Sequence, residues 1–261
     1  MKPTAVILGI TFACALGQAH SDSWNQFRGP NGSGVAKDSR PPVELDDAKL
    51  AWKAALPPGL SSPVLSGERV FLTGLAKGRL ITIAINKADG KIAWQNQAPK
   101  VELEKVHKAS HPAVPSMLVD HDRVFAYFGS YGLLCYNLDG RELWKKPIPT
   151  PKTLYGMSTS PIVHGKHLIM VLDNDTNLPG SRLSQSKIVA YDKTNGDSAW
   201  EIPRPFHRSG WSTPMIWKHD RSTELVVLGN GRVSSYDMKT GVQKWFVPGF
   251  SRETISTPVA G

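Results

Sequence analysis

The sequence predicts an all-β chain built from repeated four-stranded units. Three observations carry that expectation: a dense scatter of turn-forming residues, apolar runs too short for helices, and a tryptophan-ended unit that recurs along the chain. The 261 residues include 23 Gly, 20 Pro and 8 Trp, and punctuators at that density divide a chain into many short elements joined by turns. Beyond the first twenty residues, no window of 11 to 18 residues carries a 3.6-residue apolar stripe, which argues against a helix bundle. A hydrophobic content of 40% supports a sizeable core, in one domain or in a repeat array.

The first element is a targeting segment. Lys2 supplies a positive start, residues 5–15 an uncharged and mostly apolar run, and Gly17-Gln18-Ala19 the small residues of a cleavage site. Ala13-Cys14-Ala15 is the alternative site. The run is too short to span a bilayer, and Phe12 stands where a lipid-attachment motif around Cys14 needs a small residue. Residues 1–19 therefore read as a signal peptide and 20–49 as an N-terminal extension. The mature chain is expected to be exported, periplasmic or extracellular, with no transmembrane segment. Whether it is soluble or lipid-anchored stays open.

Cleavage leaves Cys135 as the single thiol, so no internal disulfide can form and stability must come from packing. The net charge of +9 could suggest an anionic partner. Its 31 Lys and Arg are scattered through turns, however, without a basic block or an aromatic-interleaved stripe. The charge reads as solubility, and no nucleic-acid partner is expected.

The repeat comes next in the chain and decides the architecture. AINKADGKIAW (84–94), AYDKTNGDSAW (190–200) and SYDMKTGVQKW (235–245) share one pattern, and CYNLDGRELW (135–144) is one residue shorter. A small residue (Ala84, Cys135, Ala190, Ser235) is followed by Asp or Asn, a turn glycine (Gly90, Gly140, Gly196, Gly241), a short strand and a tryptophan (Trp94, Trp144, Trp200, Trp245). Asp or Asn opens such a turn by bonding backbone amides two residues on. Glycine supplies the positive φ that closes it. Counting from Trp52, the tryptophans are 42, 50, 56 and 45 residues apart, a period that suits a four-stranded propeller blade.

Upstream of each unit a second signature recurs: Ser62-Pro63, Pro115-Ser116, Ser160-Pro161 and Thr213-Pro214. Apolar runs follow it at 70–72, 124–128, 168–172 and 225–228. They are continuous rather than alternating, so both faces of the strand are expected to be buried, as a blade between two blades requires. Each tryptophan then caps a neighbouring blade, which cannot bury its own faces. The Trp200 unit matches the pattern in full, and truncating Trp200 is expected to cost about 3–5 kcal/mol.

The unit A-x-D-x-x-T-G-x-x-x-W resembles the tryptophan-docking motif of the PQQ-like eight-bladed propellers. That superfamily contains the quinoprotein alcohol dehydrogenases and the lipoprotein scaffold of outer-membrane barrel assembly. WNQFRGP (24–30) is similar to the opening of exported PQQ-like repeat proteins common in planctomycete-type bacteria, and GWSTP (210–214) and RETISTP (252–258) fit that group. The resemblance implies a PQQ-like β-propeller over residues 50–261. Its blades would lie at about 53–95, 96–146, 147–202 and 203–248, with the start of another at 249–261. Four blades of an expected eight imply a truncated chain; a genuine four-bladed ring is the alternative.

The residues do not assemble a catalytic constellation, and the reading leans away from an enzyme. No vicinal cysteines are present, and no calcium ligand set of a quinoprotein can be matched. No cofactor is expected. Asp173-Asn174-Asp175-Thr176-Asn177 matches the first three ligand positions of a calcium loop, but Leu178 stands where Gly is needed and Ser184 where the closing Glu belongs. It reads as a polar inserted loop. His107 and His111, beside Pro112, read as loop histidines, and His164 and His167 as residues of a hairpin turn. Cys135 fills the small-residue slot and reads as an inert core thiol. The expected function is an interaction scaffold for protein or cell-envelope components. The alternative is a small-molecule or carbohydrate binder, or a quinoprotein-type oxidoreductase, using the central funnel.

Overall fold

The computed structural model describes residues 24–37, 39–220, 222–251 and 254–260. The signal-peptide reading lies outside them. Among the described residues sixteen strands form four antiparallel four-stranded sheets, each a meander in chain order. The first blade is β1 (Val64–Ser66), β2 (Arg69–Ala76), β3 (Arg79–Asn86) and β4 (Ile92–Gln97). The second is β5 (Leu118–Asp120), β6 (Arg123–Phe128), β7 (Gly132–Asn137) and β8 (Glu142–Pro147). The third is β9 (Ile162–His164), β10 (His167–Leu172), β11 (Lys187–Asp192) and β12 (Ser198–Pro203). The fourth is β13 (Met215–His219), β14 (Ser222–Gly229), β15 (Arg232–Asp237) and β16 (Gln243–Pro248). This is the PQQ-like propeller architecture, with four blades.

The continuous apolar runs are two-sided because side chains alternate across a strand. In β6, Val124, Ala126 and Phe128 pack with Phe71, Leu80 and Ala84 of the first blade. Phe125 and Tyr127, between them in sequence, pack with Leu168, Met170 and Val189 of the third. In β10, Ile169 and Val171 turn the other way and meet Leu225 and Val227 of the fourth. Each middle blade thus contributes to two cores.

The turn units build the outer rim. Each small residue pairs across the sheet with its tryptophan: Ala84 with Trp94, Cys135 with Trp144, Ala190 with Trp200 and Ser235 with Trp245. A register shift follows the small residue in all four, so a bulge is part of the unit. Asp192 Oδ1 accepts the Thr194 N–H at 2.8 Å and Asp237 Oδ1 accepts the Lys239 N–H at 2.9 Å.

Three tryptophans reach the next turn in one manner. The Trp52 indole donates to the Lys87 carbonyl at 2.7 Å, Trp94 to Leu138 at 2.8 Å and Trp144 to Lys193 at 3.2 Å. Each ring lies flat over a turn glycine. A Cβ built on Gly90 would stand 2.5 Å from Trp52, on Gly140 2.6 Å from Trp94, and on Gly196 2.8 Å from Trp144. At Gly196 the constraint is double, since its φ is +78°.

The fourth junction departs from the pattern in its glycine contact, although Trp200 still packs against the core shared by the third and fourth blades. The atoms over Gly241 are those of Ile202, 2.9 Å from a built Cβ. The Trp200 ring does not cover that glycine; it meets His167 edge-on, with centroids 6.1 Å apart. Two residues further along β12, Ile202 projects from the same face and takes the contact. Trp245 also turns inward, donating to Glu224 of its own blade at 2.8 Å.

The inner strands are tied by hydroxyls. The Ser62 N–H donates to Ser116 Oγ at 3.0 Å, Ser116 N–H to Ser160 Oγ at 2.9 Å, and Ser160 N–H to Thr213 Oγ1 at 3.1 Å. One residue of the recurring Ser/Thr-Pro signature thus hands a bond from blade to blade. It serves as the inner counterpart of the tryptophans on the rim.

Candidate functional site

In an up-and-down meander, the connection from one blade to the next leaves from the same end as the turn between the second and third strands. All long connections of this chain therefore gather on one face: residues 98–117, 148–161, 173–186 and 204–214. Among the described residues the opposite face carries the tight turns of the blades, with Trp52 packed on the first of them. Irregular connections on a rigid scaffold are where binding residues concentrate.

Contacts between the connections hold them in place. Tyr155 stands between His107, at 4.9 Å between ring centroids, and Trp211, at 5.3 Å, linking three connections edge-to-face. The Trp211 indole donates to the Gly156 carbonyl at 3.0 Å. Trp211 itself has φ +54°, a left-handed conformation unusual for a bulky residue and upheld only by its surroundings. Ring packing and the indole bond supply that support.

Glu104 enters the same layer. A side chain on Gly129 would stand 2.3 Å from Glu104 Oε1, so the carboxyl occupies the space that glycine leaves. Burial raises the Glu104 pKa to about 7, although the Met157 backbone N–H and the Lys152 charge pull it down. Among the described residues Oε1 has no protein partner, and neither does the buried hydroxyl of Tyr127. A carboxyl whose folded pKa exceeds its unfolded value favours the fold fully below about pH 4.5, and that contribution is lost as pH rises through 7. Between pH 5 and 8 the wild type is expected to lose up to about 3 kcal/mol relative to Glu104→Gln. Urea titrations of both proteins across that range measure the difference, and a flat difference refutes the assignment.

The run at 173–177 lies in the inserted β10–β11 connection, but its polar side chains turn inward. Asp173, Asn174 and Asp175 are buried. Asp173 accepts two bonds from the Arg204 guanidinium, at 3.1 and 2.9 Å, and Arg204 also donates to the Tyr236 hydroxyl at 2.7 Å. Asp175 pairs with Arg208. Asn174 Oδ1 accepts the Lys152 N–H at 2.8 Å, and the Asn174 carbonyl accepts the Ser209 N–H at 3.0 Å. Both carboxylates that match calcium-loop positions are therefore engaged by arginines. The segment acts as a pin joining three connections.

The remaining candidates separate. His107 lies on the long-connection face, whereas His164 and His167 flank the Gly165-Lys166 turn on the opposite one. The His111 Nδ1 accepts the Ala113 N–H at 3.1 Å, a local turn contact. Cys135 is buried, and burial pushes its thiol up to about 12, so it is protonated and unreactive at neutral pH. Among the described residues no three His, Cys, Asp or Glu side chains gather in metal-binding geometry.

The pinned face presents apolar side chains: Phe206, on the 204–214 connection, is 81% exposed and Leu154, on 148–161, 45%. A cavity of about 570 Å³ opens between the connections, lined by Glu102, Leu103, Lys152, Leu154, Leu178 and Pro179. Composition did not flag these residues, because exposure of a single Leu or Phe depends on where its connection is pinned.

Comparison with known proteins agrees with this architecture. A curated relative, the outer membrane protein assembly factor BamB of Burkholderia pseudomallei, is 24% identical over 204 residues, which are 76% of this chain and 48% of the relative. The crystal structure of BamB from Moraxella catarrhalis superposes with a TM-score of 0.51 at 15% identity, covering 79% of this chain and 54% of that one. The quinohemoprotein alcohol dehydrogenase of Comamonas testosteroni shares the fold with a TM-score of 0.63 at 13% identity, over 90% of this chain and 42% of the enzyme. The chain thus spans about half the length of the relatives it matches. The sequence profile of the family described as outer membrane protein assembly factor BamB matches residues 34–172 and 107–257. The chain belongs to that family.

Proposed function

We propose that this chain is an exported interaction scaffold that binds protein components of outer-membrane assembly through its long-connection face. The observation that carries the reading is the pinned face itself. Phe206 and Leu154 stand exposed on connections locked by Asp173–Arg204, Asp175–Arg208 and the Tyr155–Trp211 contact, and Leu154 borders a groove. Rigid apolar anchors in a polar surround are what a protein partner can bury at little ordering cost. The assembly role named for the relatives supports the choice of partner. No helix among the described residues is long and apolar enough to cross a membrane.

The test is co-purification of the tagged chain with the outer-membrane protein-assembly complex of its own host. The double variant Leu154→Asp, Phe206→Asp is expected to retain about a tenth or less of the bound complex. Lys239→Asp, on the opposite face, should retain all of it. Equal retention by both variants, or none by the wild type, refutes the reading.

The superposition on quinohemoprotein dehydrogenases shows a shared fold, and this chain's carboxylates at 173 and 175 are committed to arginines. Titration with pyrroloquinoline quinone plus calcium, followed by quinone absorbance and dye reduction with simple alcohols, is expected to show no saturable binding in the micromolar range. Such binding corresponds to about 8 kcal/mol and implies a dedicated pocket. Its appearance would replace the scaffold reading with the oxidoreductase one.

A further inference from the structure

Each inner strand has one edge in its own blade and the other toward the propeller axis. Leu65, Val119, Val163 and Ile216 occupy equivalent places there, opposite Val70, Val124, Leu168 and Leu225. In two-residue hairpins of this register the closing pair exchanges the ladder bonds. Leu65, Val119 and Val163 come one pair before it and Ile216 three pairs before it; bonded and non-bonded pairs alternate, so the N–H and C=O groups of all four point at the axis.

The segment that opens the described chain fills three of the four edges. The Leu65 N–H donates to the Trp24 carbonyl at 2.8 Å. At Val119 the match is two-sided: its N–H donates to the Asn25 carbonyl at 2.8 Å, and Asn25 Nδ2 donates to the Val119 carbonyl at 2.9 Å. At Ile216 one side chain makes both bonds. The Ile216 N–H donates to Asn31 Oδ1 at 3.0 Å, and Asn31 Nδ2 donates to the Ile216 carbonyl at 2.7 Å. An asparagine carboxamide carries an acceptor oxygen and an N–H-donating NH2 side by side on one planar group, so it mimics a paired strand at one residue.

Val163 of β9 has no such partner among the described residues. Beside it lies a cavity of about 440 Å³ whose walls include Gln26, Asn31, His164, Trp217 and Lys218. Cavities of a few hundred Å³ accept small ligands or single side chains with their flanking backbone. An open strand edge between two occupied ones is a template for one more pairing.

We propose that this edge of β9 binds an asparagine side chain carried on an extended segment of a partner polypeptide, in the way Asn31 binds Ile216. The carboxamide would take the Val163 N–H on its oxygen and give its N–H to the Val163 carbonyl. Gln26 and Lys218 would face the flanking backbone carbonyls. This site is separate from the long-connection face, and its success or failure leaves the partner of that face undecided.

The test titrates the blocked tripeptide acetyl-Gly-Asn-Gly-amide into the ¹⁵N-labelled chain and follows the Val163 and His164 amides and the Trp217 indole. Saturable shifts in the millimolar range are expected. Acetyl-Gly-Asp-Gly-amide and acetyl-Gly-Ala-Gly-amide should bind about fivefold more weakly or worse, because neither side chain offers a donor to the Val163 carbonyl. Val163→Pro removes the N–H at an edge position where proline is tolerated and should abolish the shifts. Gln26→Trp, which fills the cavity from the strap, should do the same if the proline variant fails to fold. Absence of saturable shifts overturns the proposal. So does equal response to all three peptides, or tighter binding of the aspartate peptide, which would mark an anion site at Lys218.

Discussion

Truncation of Trp144 to alanine is expected to destabilise the chain by about 3–5 kcal/mol, the range for removing a large aromatic from a packed site. Its ring lies over Gly196 of the third blade, its indole donates to the Lys193 carbonyl at 3.2 Å, and Phe125 of its own blade flanks it at 5.9 Å between centroids. Removing it deletes the contacts of one blade with the turn of the next and leaves a flat void over a glycine. Trp200→Ala should cost at least about 1 kcal/mol less, since Ile202 holds the contact over Gly241 and stays in place. Urea midpoints with a common m-value give both numbers. Equal losses would show that the tryptophans stabilise by bulk burial alone. A complementary variant, Gly196→Ala, meets both the Trp144 ring and a φ of +78° and should also destabilise.

The architecture was legible in the sequence because its period is local. Each unit from small residue to tryptophan spans about eleven residues, and the two-sided strands announce themselves as unbroken apolar runs. The site was less legible for a physical reason. Asp173 and Asp175 find Arg204 and Arg208 more than thirty residues away, so a polar run destined for burial looks like one destined for water. The role of Ser62, Ser116 and Ser160 was half visible: the Ser/Thr-Pro signature stands out, yet the hydroxyl relay appears only when successive blades are side by side. Asn25 and Asn31 are further still from their partners. Asn31 bonds Ile216 across 185 residues, and WNQFRGP on its own marks a resemblance rather than a strap. Trp200 shows the converse limit. Its motif is complete, and the contact nevertheless passes to Ile202, because two residues on one strand face compete for one glycine.

Replacement of Arg204 by methionine is expected to cost about 3–5 kcal/mol, because it leaves the Asp173 carboxylate buried without a counter-charge. Arg204 is 1% exposed and Asp173 3%, so water cannot take over the lost bonds. Burial pushes the Asp173 carboxyl up while the Arg204 guanidinium, bonded to both its oxygens, pulls it down and favours the ionised form in the wild type. Without the guanidinium only the upward push remains. The variant should bind a proton on folding, and its deficit relative to wild type should shrink as pH falls from 8 toward 5. Removing both charges, in Asp173→Leu with Arg204→Met, should recover most of the loss, since well-packed apolar pairs often match or exceed buried ion pairs. Tyr236 then loses its donor, which sets the recovery below complete. Urea unfolding of the four proteins of this cycle at pH 5 and pH 8 decides the matter. A single-variant loss below about 1 kcal/mol at pH 8, or a double variant no better than the single, would show that the pair is not what pins the connection carrying Phe206. If the pair does pin it, Arg204→Met should also weaken binding at the long-connection face while leaving Phe206 itself intact.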